Sequence, residues 1–449
     1  MAKETEQLAR YAAALRYGDI PADVIARAKQ CIADTIAVII CGYDQPWSQM
    51  IARYAEQYGG TGKSRVLGPG GVRVNAPAAA LANGAIAHAF EMDNLTWPST
   101  GVHPGATLLA PALALAQERG LGGENLITAV IGGAEVMIRI GRATHHKNES
   151  RGFHAPGTTG PFGAAVACGA LLALDAGAMR NALGIAGSLA CGLLEFARAG
   201  NGAMVKRLHL GRAAESGVLA AHLAADGFSG PASVLEGEFG FLRVFCGDEF
   251  DAGELTREIG KSYATRSITL KRFPCHISAH TSVQAILDLR AEHGYAAGEV
   301  AAIHIGGSDK MAGVNNIPSP ADIMMAQYSI PFCVALAHFR NPRDPRSFDE
   351  TALRDARIRE LAQRVNISIA AERPTALAAN ISVTLTDGRV LKRTVAQFKG
   401  TPEEPLDADE LREKFLLLTR HCPSDLMGTM FERLQNLESE TSLDWIGLP

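Results

Sequence analysis

The sequence predicts a mainly α protein: a helical region over residues 1–267, a smaller α/β region over 268–400, and a helical return over 401–449. Three observations carry this reading. Apolar residues recur at helical spacing through the first 265 or so residues. Strict alternation then appears, with Ile303 and Ile305 in 300–305 and Ile381, Val383 and Leu385 set between Ser382 and Thr384. Helical spacing resumes near Asp407, where Leu411, Phe415 and Leu418 share a face, followed by a helix over 427–437.

Each element has a local reason. Val24, Ile25, Ala28, Ile32, Ile36 and Ile39 mark one helical face, and Pro21, Ala22 and Asp23 suit its first turn. Apolar stretches at 106–118, 124–142, 161–174, 179–196 and 211–226 are rich in Ala and Gly, so their helix axes can approach closely in a compact bundle. Ala76-Pro77, Gly101, Pro104-Gly105, Pro156-Gly157 and Gly200-Asn201-Gly202 supply the breaks. In the α/β region, Asp387-Gly388 makes a hairpin turn into a strand over 390–395, and helices fall at 278–293 and 326–338.

The composition excludes several classes. With 43 basic and 47 acidic residues the net charge is −4, and no basic face for nucleic acid is implied. The longest strongly apolar run, Phe162 to Leu174, is shorter than the ~20 residues that cross a bilayer, so no membrane partner is expected. The N-terminal segment has no apolar signal core, and the eight cysteines are scattered without a CxxC pair, so a reducing, cytoplasmic compartment is expected. Gly62-Lys63-Ser64 ends like a phosphate loop, but the required first glycine is Gln57.

Four segments hold titratable groups beside Gly or Pro. The first runs from His88 through Glu91, Asp93 and Asn94 to His103-Pro104-Gly105, with 95–102 read as loop. A carboxylate beside an imidazole sets its tautomer and raises its pKa, which makes Asp93 and His103 an acid–base pair; His88, inside Ala-rich helix, reads as structural. The second places His154 just before an apolar helix, whose free N–H groups suit an anion, while Thr158 and Thr159 equally suit simple caps. In the third, Lys206 and His209 precede another Ala-rich helix, and a lysine in apolar surroundings needs either a substrate carboxylate or an internal salt bridge. The fourth brings Lys271, Arg272, Cys275, His276 and His280. Its two imidazoles at i, i+4 lack the glutamate of a zinc protease, with Ile277 in that place, so no metal site is expected, and Cys275 reads as a packed thiol.

These segments, in order and spacing, resemble the MmgE/PrpD family. The match runs from about Leu8 to Leu437 and includes AHAFEMDN…HPGA, RGFHAPGTTGPFGAA, VKRLHLGRAAESG, LKRFPCHISAH and AQYSIPF. The family includes 2-methylcitrate dehydratase, cis-aconitate decarboxylase and iminodisuccinate epimerase. The resemblance implies a large all-helical domain made from both chain ends with a smaller α/β lid inserted, an active site in the cleft between them, a homodimer, and no metal or organic cofactor. Asp93, His103, His154, Lys206 and Lys271 match family positions. Asn94 and His276 join them as substrate-binding residues.

The chain also departs from the family pattern. Glu91-Met-Asp93-Asn94 stands where members commonly read Asp-Phe-Asp-Asp. The decarboxylase's tyrosine in the AQYSIPF-like segment aligns with Pro331, with Tyr328 offset. The epimerase's tyrosine is replaced within His145-His146-Lys147-Asn148. The expected activity is a cofactor-independent lyase on a small di- or tricarboxylic acid: dehydratase first, then epimerase or isomerase, then decarboxylase. Lys206 and Lys271 would hold carboxylates, and His103 or His154 would move a proton at the adjacent carbon. A silent ligand-binding member is the alternative of another class.

Overall fold

A computed structural model describes residues 3–96, 101–197 and 203–448. The expected break at Gly200-Asn201-Gly202 and the Trp97–Thr100 part of the expected loop lie outside the described residues. The protein is mainly α, with only small sheets. Among the described residues no helix is long and apolar enough to cross a membrane.

Helices Ala76–Ala87, Gly123–Ala143, Ala155–Leu171 and Val205–Ala225 pack as the heart of the bundle. Small residues allow it. A Cβ on Gly217 would sit 2.5 Å from the carbonyl carbon of Ala164, and one on Gly133 would sit 2.7 Å from the Gly163 oxygen. Those backbones are as close as they can come, which is why Ala and Gly dominate the apolar stretches. Residues near both chain ends share one core: Ile32, Ile36 and Ile39 of helix Ala22–Gly42 belong with Leu411, Phe415 and Leu418 of Ala408–Thr419 and with Met430 and Leu434 of Ser424–Gln435.

A second core lies between Phe273 and Val395. Its four-stranded sheet runs in the order Val365–Ile369, Val300–Gly307, Ala379–Leu385, Val390–Val395; the first pair is parallel and the others antiparallel. Alternation in Ala379–Leu385 is complete, with every second residue buried. Gly388, at φ +91°, makes the turn expected at Asp387-Gly388. Helices His280–His293, Ile330–Phe339 and Ala356–Gln363 complete the unit.

Several boundaries differ from those expected. The helix expected from 211 starts at Val205, so Lys206 and His209 lie inside it and not before it. The helix expected from 161 starts at Ala155 and keeps Pro161 in its interior. Thr158 and Thr159 are therefore not caps; both hydroxyls donate back to the Ala155 carbonyl. The helix expected over 326–338 is broken at Ser329, whose hydroxyl accepts from the Phe332 N–H and starts a new helix ahead of Pro331.

Candidate active site

A cleft of about 860 Å³ opens between the bundle and the α/β unit. His103, His154 and Lys206 line it from the bundle side, Lys271 and His276 from the segment entering the α/β unit, and Tyr328 from beyond. Residues spread over 225 positions, from His103 to Tyr328, thus meet in one place.

The chain corner at 88–94 builds the floor. Helix Ala76–Ala87 ends at His88, and Glu91 takes a left-handed conformation, φ +57°. A non-glycine residue pays about 1–2 kcal/mol for this, and the neighbours hold it there. Lys271 Nζ donates to the Glu91 carbonyl at 2.7 Å and lies 3.7 Å from its carboxylate. Lys206 forms a short ion pair with Glu91 Oε1, and His88 Nε2 is 3.0 Å from the same oxygen. From the α/β unit, Gln327 Nε2 donates to the Phe90 carbonyl at 2.9 Å. Burial alone would raise the Glu91 carboxyl, but Lys206, His88 and Lys271 outweigh it and hold the group well below the usual carboxylate range.

Asp93 lies behind this corner, fully buried. Its two oxygens accept from His88 Nδ1 and His103 Nδ1, each at 2.7 Å. Burial works against its charge, and the two imidazoles prevail, so Asp93 is an anion. These distances are those of N–H donors on a carboxylate. They account for the close grouping of His88, Asp93 and His103, whose ligand atoms all lie within 4.8 Å of one another. With its proton fixed on Nδ1, His103 keeps a lone pair on Nε2. Its pKa is lowered from the ordinary value, because burial outweighs the pull of Asp93. This corrects the expectation that Asp93 raises it; the carboxylate fixes the tautomer and the enclosure keeps the ring neutral.

His154 lies just ahead of helix Ala155–Leu171, and its Nδ1 is 3.0 Å from His209 Nδ1. One of the two must donate and the other accept. Burial, Lys206 and His209 hold His154 well below its ordinary pKa, so it too is neutral. His276 accepts from the Ser278 N–H through Nδ1 at 3.3 Å, which puts its own proton on Nε2. Its ring lies 4.9 Å from that of Tyr328, and Lys206 Nζ lies 4.7 Å from the Tyr328 centroid. Burial and the Glu91 charge raise the Tyr328 phenol well above its usual value, so it stays protonated.

Asn94 is a correction. It does not line the cleft. Its side chain is fully buried, with Oδ1 accepting from the Gly105 N–H at 2.8 Å and Nδ2 donating to Thr35 Oγ1 at 2.9 Å. It pins the return of the loop that carries His103, leaving it unsuited to touch a ligand. Lys206 and Lys271 line the cleft, and both pair with Glu91, so of the two alternatives the internal salt bridge is the one present. His280 points away from His276 into the core between Phe273 and Phe398, so the two imidazoles at i, i+4 do not converge. Cys275 is fully buried.

Two cleft residues, Glu91 and Tyr328, and His209, the partner of His154, escaped the sequence. Glu91 shows only as one acid among several, because its partners are distant in the chain. His209 carries a signal, an imidazole three residues after Lys206. Tyr328 was displaced by the alignment onto Pro331; the phenol faces the cleft all the same.

Neutral imidazoles, a protonated phenol and two lysines paired with one carboxylate thus surround one cleft. The chain belongs to the MmgE/PrpD family: the N-terminal domain of that family matches residues 6–252 and its C-terminal domain residues 273–433. It is 33% identical to a cis-aconitate decarboxylase of Aspergillus terreus over 302 residues, covering 64% of this chain and 60% of that protein. The aligned stretch thus spans less than two thirds of that relative's length. It is 29% identical to a cis-aconitate decarboxylase-like protein of Aspergillus oryzae, covering 98% of this chain and 95% of that protein. Human cis-aconitate decarboxylase is 28% identical over 97% of this chain and 92% of its own length.

Proposed function

We propose that this protein is a lyase that acts on a small polycarboxylate in the cleft, with the proton chemistry carried by side chains. The observation that supports it most is the Asp93–His103 pair. A neutral imidazole with its proton fixed on Nδ1 presents Nε2 as an acceptor beside two ammonium groups. Lys206 and Lys271 hold the carboxylate next to the reacting carbon, sharing Glu91 as counter-ion. Negative charge that builds there is met by cations already in place. His103 takes a proton from, or relays one to, that carbon, and the protonated Tyr328 is the donor available from the other wall. Asp93 acts through His103 and is a positioning residue. His154 and His276 complete the polar lining as neutral hydrogen-bond partners.

The names of the relatives put loss of CO₂ first among the reactions, ahead of the loss of water favoured from sequence and of inversion at carbon. The α/β unit acts as a lid, supported by the Gln327 contact with the Phe90 carbonyl, and the assembly is a homodimer on the strength of the family resemblance. The experiment is proton NMR in D₂O with a panel of citrate, methylcitrate, aconitates and aspartate-derived diacids. An enzyme of this kind exchanges the proton next to a carboxylate or eliminates CO₂ or water, and the product identifies which. Binding without exchange or product would identify a silent ligand-binding member and refute the lyase.

A further inference from the structure

Two of the histidines that line the cleft have their ring protons fixed by a neighbour. Asp93 holds the His103 proton on Nδ1, and the Ser278 N–H directs that of His276 to Nε2. His154 is different. Its Nδ1 meets His209 Nδ1 at 3.0 Å, and among the described residues neither ring makes another hydrogen bond. A bond between two Nδ1 atoms can run in either direction. With the shared proton on His209, His154 carries its own on Nε2 and offers a donor to the cleft; with the shared proton on His154, its Nε2 offers a lone pair. Moving one proton along the pair converts one form into the other.

The second imidazole leads outward. His209 does not line the cleft; it lies in helix Val205–Ala225 on the stripe that includes the exposed Val205, Arg212 and Leu219. It is half-buried, and among the described residues its Nε2 has no protein partner and is not enclosed. The contact between the rings is closely packed. Phe196 lies edge-on to both, 5.1 Å from His154 and 5.9 Å from His209. A Cβ on Gly192, which is at φ +125°, would come within 3.2 Å of His209 Nδ1, so only bare backbone passes beside the pair. Neither imidazole can store an extra proton. Burial, Lys206 and His209 depress the His154 pKa, and burial, with His88 and Lys206, lowers that of His209 to about 4. A proton can therefore pass through the pair but not rest on it.

We propose that His154 and His209 form a proton relay between the cleft and the outer surface, with His209 acting through His154. This rests on the proton-transfer reading of the cleft and adds its route to water. Inward, water protonates His209 Nε2, the Nδ1 proton crosses to His154 Nδ1, and the Nε2 proton of His154 enters the cleft. Removal of a proton from the ligand runs the same steps outward. Loss of CO₂ breaks a carbon–carbon bond, leaves its electron pair on carbon and takes up one proton per turnover; the relay delivers it while the ligand fills the cleft. Both tautomers are then inverted. Once the product has left, water reaches both ends of the pair and resets them.

The test measures turnover of the full chain on the panel of citrate, methylcitrate, aconitates and aspartate-derived diacids, in dilute buffer and again with added imidazole. In dilute buffer His209→Ala is expected to lower kcat by about 10–100-fold, part of the roughly 10²–10⁴-fold that a positioned proton carrier contributes. Imidazole, entering the space left at the surface, should restore it to within about 3-fold of wild type, whose own rate should change by less than about 2-fold. His209→Asn separates relay from positioning. Its amide can bond to His154 Nδ1 but has no second nitrogen to pass a proton on, so kcat should fall while KM stays within about 3-fold of wild type. If His209→Ala does not fold, this split in His209→Asn decides. Wild-type kcat in either variant in dilute buffer, or a loss in His209→Ala that imidazole does not restore, overturns the relay while the cleft reading stands. Failure of wild type to act on any acid of the panel overturns the cleft reading and the relay with it.

Discussion

Replacing His103 with alanine is expected to lower turnover by about 10²–10⁴-fold, the contribution of a positioned acid–base group, with far-UV circular dichroism unchanged. The fold should survive because Asp93 keeps its bond to His88 and the ring is near the cleft surface and not deep in a packed core. Asp93→Asn provides a sharper test of the tautomer. An amide in that place can donate to His103 Nδ1, which drives the ring proton to Nε2 and removes the acceptor from the cleft. A comparable loss should follow although nothing that touches the ligand has changed. The pH profile adds a sign. The base must be neutral to accept, and burial lowers the His103 pKa. The acid limb of kcat/KM should therefore have its midpoint below the ordinary imidazole value of about 6.5. A midpoint above that value, or wild-type activity in His103→Ala, would remove His103 from the proposed role.

The second large effect is on stability. Glu91→Leu leaves Lys206 buried without its anion and takes away the counter-charge that Lys271 shares. Breaking a buried pair by removing one partner costs about 3–5 kcal/mol, and denaturant unfolding should show a loss of that order. The pH dependence follows from the depressed carboxyl. Glu91 is held well below its ordinary value, so its contribution is present in full above roughly pH 4.5 and is lost as the pH falls through the folded-state pKa. The gap between wild type and variant should accordingly narrow only in strong acid. A gap that is small at pH 7 would show that the Glu91 cluster is not a mutual charge balance.

What was legible from sequence follows the range of the forces involved. The Asp93–His103 pair is written within eleven residues, so local chemistry exposes it. The helical regions and the hairpin at Asp387-Gly388 are likewise local matters of period and turn. Glu91 is different. Its conformation and charge are set by Lys206 and Lys271, which are 115 and 180 positions away, and nothing near it in the chain distinguishes it from a surface acid. Asn94 misled for the converse reason: a polar residue beside an acid–base pair looks like a ligand contact until its partner, the Gly105 backbone, is seen. The strand Val365–Ile369 was missed because only Val365 is fully buried in it. The edge of a sheet shows little alternation when one side is open. Tyr328 was set aside because the family tyrosine aligns with Pro331, three residues further on.

One contact made far down the chain bears on how the protein can be shortened or divided. Lys414, in the helix Ala408–Thr419, pairs with Asp34 and donates to the Lys271 carbonyl at 2.6 Å. The backbone under an ammonium group of the cleft therefore leans on a side chain some 140 residues later. A gene ending before that helix would encode every residue assigned to the site and still lack the buttress that aims one of them, whereas the missing helices supplied as a separate peptide are the natural candidates for restoring it by complementation.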